Sequence, residues 1–247
     1  MGLLLTAHSA GFCGAHYPQR MSSDPAQIAA FWNWFRDNKR AMDALDDPDE
    51  PFWDTALSAL KNIHPGLEFA LSSLEGPKEP EREFVLTASC DAELFPAVDA
   101  AIAAAPKLAG WKWVALKPPM GFDFVSEFED LELDPRQMWF FPLRDSARPR
   151  ELALRVAVPG ITKRRAEQYF EAVAMILETG LGERSAASDL QDLEVVPPPE
   201  NLKAEGYAPL PELPAYLKWN RANRLPARGW CGIAEWKSAI GQAGRPR

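Results

Sequence analysis

The chain has 247 residues, 47% of them hydrophobic and 25% charged, which suits one large or two small globular domains with a full apolar core. A formal net charge of -8 argues against nonspecific nucleic-acid binding, which needs Lys and Arg to displace phosphate counterions, and leaves room for a basic protein partner. No apolar run reaches a membrane span, and Cys13, Cys90 and Cys231, odd in number and widely spaced, fit reduced thiols in a cytoplasmic setting.

Residues 1–21 read as a leader without assignable structure. MGLLLT matches the myristoylation pattern, while the patch Leu3 to Ala7 lacks the basic flank of a signal peptide. Met21 is a candidate start, because helix signals begin directly after it. Asp24 is placed to cap a helix, Pro25 suits its first turn, and Gln27 completes a capping-box-like pattern. Ile28, Phe31, Trp32, Phe35, Met42 and Leu45 then recur at helical spacing on one side. DDPDEP breaks that run. A second helix carries Trp53, Ala56, Leu57, Leu60 and Ile63 as its stripe and ends at His64-Pro65-Gly66. In FWNWF three rings join the first buried stripe; Trp34 falls on its flank, at about 100° per residue, as packing or as a binding surface.

From Leu67 the pattern becomes that of strands. LEFALSSL and EREFVLTAS form a hairpin. Glu93 to Ala105 reads as a helix with Pro96 in its first turn, and GWKWVALKPP as a strand stopped by Pro118 and Pro119. Trp111 and Trp113 share one face of it. FDFVSEFEDLEL predicts a further extended stretch with Phe122, Phe124 and Phe128 on one side.

The series then repeats. MWFFPL and ELALRVAV predict a second hairpin. Thr162 caps a helix whose stripe is Ala166, Tyr169, Phe170, Val173, Ile176 and Leu177, with Gly180 and Gly182 ending it. DLEVVPPP is a closing strand. EFVL aligns with ELAL, and VALKPP with LEVVPPP. The fold class expected is α+β: two N-terminal helices, two strand-strand-helix-strand modules arising by internal duplication, and a C-terminal arm. The duplicated segments are 67–119 and 138–198, within a domain spanning 22–199. The arm, 200–247, has more basic than acidic residues and carries Trp219, Trp230 and Trp236. It is expected to fold back on the body, approaching in extended form through Leu210 to Pro214, or to dock on a partner.

Searches for catalytic motifs return no G-x-S-x-G, H-E-x-x-H, P-loop or dinucleotide fingerprint. The histidines are His8, His16 and His64. Cys13 and His16 have half-site metal spacing without a second pair, so no metal and no cofactor is assigned. His64 suits a helix C-terminus as a cation. The densest acidic run is Asp123, Glu127, Glu129, Asp130, Glu132 and Asp134. Asp123, Glu127 and Glu129 are expected on one strand face, suited to a hard cation, a basic partner or solvent. Lys163, Arg164 and Arg165 open a helix against its macrodipole, where they and the orphan backbone N–H groups can receive phosphate or carboxylate.

FWNWF followed by ELFPAVDAAIAAAPKLAGWKWVALKPP and a Phe-rich strand resembles an uncharacterised bacterial domain family with an FW-x-WF helix and an LFPAV…AP-x-L-x-GW segment. The resemblance covers Phe31 to Pro199 and implies a bacterial, cytoplasmic protein. It brings no known activity and no catalytic residue. The leading functional expectation is a non-enzymatic interaction protein that neutralises a basic partner, with neither nucleic acid nor membrane as target. The alternative is a small-molecule binder or enzyme with its site between the modules. Trp34, Asp123, Glu127, Glu129, Lys163, Arg164 and Arg165 are the candidate ligand- or partner-binding residues. Composition leaves the oligomeric state open.

Overall fold

The structure, a computed structural model, describes residues 24–73, 81–144, 152–223 and 232–243. They fall into two compact units that divide between Pro118 and Pro119.

The first unit comprises α1 (Pro25–Asp37), α2 (Lys39–Ala44), α3 (Pro51–Lys61), β1 (Glu68–Leu71), β2 (Arg82–Thr87), α4 (Phe95–Ala103) and β3 (Trp111–Ala115). Asp24 accepts the Ala26 amide at 2.9 Å, the expected cap. The helical run breaks at Asn38, which takes φ -103° and ψ 13° and whose Nδ2 donates to the Trp34 carbonyl at 2.8 Å. A side chain that competes for a backbone carbonyl ends α1 there, and Met42 is carried by α2. The sheet order is β1-β2-β3, antiparallel then parallel. Its register puts Phe69, Phe84, Trp111 and Trp113 on one face, where α1 buries its rings. Phe35 lies 5.1 Å from both Trp111 and Trp113, and Trp32 lies 4.7 Å from Trp113. Packing of rings at such distances needs each indole N–H to find an acceptor. Trp32 donates to the Ala101 carbonyl, Trp113 to the Pro106 carbonyl and Trp111 to Asp43.

The second unit comprises β4 (Ser126–Phe128), β5 (Leu131–Leu133), β6 (Trp139–Arg144), β7 (Leu152–Ala157), α5 (Ala166–Leu181), α6 (Glu183–Asp189), β8 (Leu190–Val196), β9 (Ala208–Pro209), α7 (Leu213–Asn223) and α8 (Ile233–Ala243). Its main sheet has the order β8-β7-β6-β9. Leu152, Leu154 and Val156 of β7 alternate into a core with Val173, Ile176 and Leu177 of α5, as half-buried strand periodicity requires. Leu210, Leu213, Tyr216 and Trp236 complete the same core, so residues of 200–247 are built into this unit. Trp236 is 2% exposed, Trp219 packs half-buried against the core, and Trp230 lies outside the described residues. Unlike those of Trp32, Trp111 and Trp113, the buried Trp236 N–H has no acceptor among the described residues.

Four local expectations are corrected. Only residues 126–133 of the expected extended stretch are strand, and they form a hairpin, β4-β5, because Glu129 adopts φ 52° and reverses the chain. Gly180 lies inside α5, and Gly182 alone, at φ 76°, closes it; the short α6 follows. The Thr162 side chain makes no capping hydrogen bond. Leu210 to Pro214 is not extended: Leu210–Glu212 is a 3-10 turn and α7 begins at Leu213. Pro214 sits in the first turn, where its missing N–H costs nothing.

The element order repeats as the duplication predicts. In each unit a central strand pairs antiparallel with the strand before it and parallel with the strand after the helix. The strand-to-helix junctions also match. After β2 come Ser89-Cys90, the 3-10 turn Ala92–Leu94 and α4; after β7 come Pro159-Gly160, the 3-10 turn Lys163–Arg165 and α5. Gly160 has φ 78° and Cys90 has φ 65°, so both junctions use a left-handed residue at the same place, glycine in one and a side chain in the other. These bounds set Glu83 beside Ala153, two positions from the pairing that EFVL and ELAL suggest.

Candidate functional site

Trp34 belongs to the first unit, whereas the other candidates lie in the second. It is half-buried and stacks on Phe31 at 6.2 Å and on Phe52 of α3 at 5.9 Å. Its flank position on α1 thus joins two helices.

Most of the acidic run is engaged with the protein's own cations. Asp123 pairs with Arg136 at 3.1 Å. Arg136 also donates to Asp134 from Nε at 2.8 Å and Nη2 at 3.1 Å. Asp134 caps its own 3-10 turn, Pro135–Gln137, through the Arg136 amide. The Arg136 side chain and amide hold the Asp134 carboxyl below the usual carboxylate range. At the hairpin turn, Glu129 accepts from Gln168 at 2.6 Å. Asp130 accepts from Gln168 at 2.7 Å and from Arg165 at 2.5 Å. The Gln168 hydrogen bond, seconded by the charge of Arg165, lowers the Asp130 pKa. Arg165 also donates to Gln168 at 2.8 Å, so it ties the turn to α5 instead of facing outward.

Glu127 and Glu132 stand apart. They are direct partners across β4 and β5, both exposed, and neither has an ion-pair partner among the described residues. Like charges placed opposite each other on a ladder destabilise it. Asp123, Glu127 and Glu129 do not share a strand face, because only Glu127 lies in a strand. Lys163 and Arg164 are exposed on the 3-10 turn before α5 and make no ion pair with a described residue. The helix proper has Glu167 in its first turn, which agrees with the macrodipole. The structure therefore links Glu129 and Arg165 through Gln168, leaves Glu127 facing Glu132, and sends Asp123 to Arg136.

An apolar feature borders this hairpin. The large hydrophobic side chains exposed among the described residues are Met120, Val125 and Met175, at 73%, 46% and 37%. The segment carrying Met120 runs beside the end of α5: the Met120 and Gly121 amides donate to the Thr179 and Gly180 carbonyls at 3.0 and 3.1 Å. Val125 immediately precedes β4, and Met175 lies on α5 one turn before Thr179.

Sequence reasoning missed a cavity of about 580 Å³ in the second unit. Trp139, Tyr207 and Ile233 supply apolar wall, and Lys203, Glu212 and Lys237 supply charge. These residues are scattered over 139–237; the basic, Trp-rich composition of 200–247 was their one trace in the sequence. Lys237 pairs with Glu212 and lies 4.6 Å from the Trp236 ring centre. Lys203 is exposed and unpaired among the described residues.

The remaining candidate chemistry is internal. His64 is buried, and its Nδ1 accepts the Gly66 amide at 3.1 Å. That contact closes the turn that follows α3. Cys90 is buried. Among the described residues no group of three or more His, Cys, Asp or Glu could hold a metal ion, and no helix is long and apolar enough to cross a membrane. His8, Cys13, His16 and Cys231 lie outside the described residues. No family model matches the chain, and no curated protein or solved structure is similar to it.

Proposed function

We propose that the chain is a non-enzymatic protein-binding protein of the bacterial cytoplasm, and that it takes a basic protein partner along β4-β5 and the segment leading into it. One observation carries this reading. The exposed Met120, Val125 and Met175 adjoin the hairpin whose Glu127 and Glu132 face each other without a cation among the described residues. Exposed apolar side chains bordered by charge follow the layout of protein interfaces, with an apolar centre and a polar rim. A partner's Lys or Arg placed between the two glutamates relieves their repulsion, and the negative rim speeds encounter with a basic surface. Blocking the activity of such a partner is the concrete form of the role.

A photo-crosslinking residue at Val125, introduced into the full chain in its native cell, tests the reading. The expected adduct contains a basic protein, and Glu127→Lys with Glu132→Lys abolishes it. The adduct with that partner should weaken as salt rises. Adducts that survive the double reversal, or whose partners are acidic, overturn the proposal.

A further inference from the structure

The cavity between β6, β9 and α8 combines a chemistry that the basic-partner surface lacks. Its volume, about 580 Å³, falls within the range of small-molecule sites, which are mostly apolar with a few placed polar groups. Trp139 and Pro209 meet across the β6–β9 pairing, Tyr207 packs against Phe141 at 5.3 Å, and Ile233 enters from α8. Aromatic and aliphatic walls of this kind favour a flat, apolar body. The charges select its sign. Two lysines face one glutamate, and Glu212 is already paired with Lys237. Among the described residues, Lys203 therefore stands as an unmatched cation at the cavity.

We propose that this cavity binds a small aromatic carboxylate, its ring against Trp139, Tyr207 and Ile233 and its carboxylate at Lys203. A neutral ligand of the same shape leaves the lysine without its counter-ion, and a cation meets like charge, so affinity should rank anion, neutral, cation. The site lies within one unit and is separate from the β4-β5 surface, so either proposal can fail without the other.

The test is calorimetric titration of the full chain with 2-naphthoate, compared with 2-naphthamide and 2-naphthylmethylammonium. Saturable binding of the carboxylate is expected, with the amide weaker by about tenfold, the worth of one charge-assisted hydrogen bond. Lys203→Glu should remove that preference. Ala234, exposed on α8 and lining the cavity, offers a second variant: Ala234→Phe fills the space from a surface position and should abolish binding of both carboxylate and amide. Lys163→Glu, a cation on a different turn, should change nothing. Absence of saturable binding at millimolar naphthoate overturns the proposal. Equal binding of acid and amide, or binding that persists in Ala234→Phe, does the same.

Discussion

Arg82 does more for the first unit than its place in a strand suggests. Its guanidinium donates to the carbonyls of Met42 and Leu45 and its Nε to that of Ser72. Asp46 lies 3.3 Å away, and the Trp111 ring centre 5.5 Å. The side chain is 9% exposed; desolvation lowers its pKa, with Asp46 opposing. One cation thus holds the end of α2 and the linker after it to the sheet, where carbonyl groups are short of donors. Arg82→Ala leaves those acceptors unmatched and should cost about 2–4 kcal/mol in urea unfolding. Lys112→Ala, which removes the exposed pair with Glu83, should cost about 0–1 kcal/mol. Equal losses for the two variants would show that the carbonyl staple contributes nothing beyond an ordinary surface pair.

At the level of elements, the contact between the 119–125 segment and α5 depends on an absent side chain. Glycine inside a helix is usually a weakness, and replacing it with alanine stabilises by about 1 kcal/mol. Gly180 is different, because a Cβ there would lie 2.3 Å from the Phe122 ring. Phe122 is itself buried in the core of the second unit. Gly180→Ala should therefore destabilise, by about 1–3 kcal/mol for overpacking, and Phe122→Leu in the same chain should recover part of the loss. Thermal unfolding reads both, and a stabilised Gly180→Ala would mean that the ring moves aside freely. The position of Gly180, near a helix end, suggested a stop signal. Only the ring packed against it gives its actual role.

For the whole molecule, the pattern of strands and helices was legible because it rests on local periodicity. The helix around FWNWF, both hairpins and the closing third strands follow from apolar spacing and proline stops; that those strands pair in parallel is seen only in the fold. The status of 200–247 was less legible. Its polar, proline-bearing composition resembles an arm, yet Leu210, Leu213, Tyr216 and Trp236 enter the core of the second unit. Full burial of one such side chain contributes about 1.5–3 kcal/mol, and domain stability as a whole is only about 5–15 kcal/mol. A chain ending at Pro199 should therefore expose apolar surface, bind a hydrophobic dye and unfold at lower urea. An unchanged midpoint would show that the segment is dispensable.

The sequence alone determined the α+β class and the doubled strand-strand-helix-strand order, since backbone periodicity and turn chemistry act over a few residues. It also singled out the acidic run and the Lys163–Arg165 cations as unusual. Which of those charges remain available was decided by tertiary structure. Asp123, Asp130 and Asp134 meet Arg136 and Arg165 only because a turn at Glu129 and the packing of α5 bring distant residues within a few ångströms. Glu127 and Glu132 are left facing each other by the register of the same hairpin. The cavity likewise needs β6, β9 and α8 together, and no local pattern encodes a concave surface assembled from three separate elements.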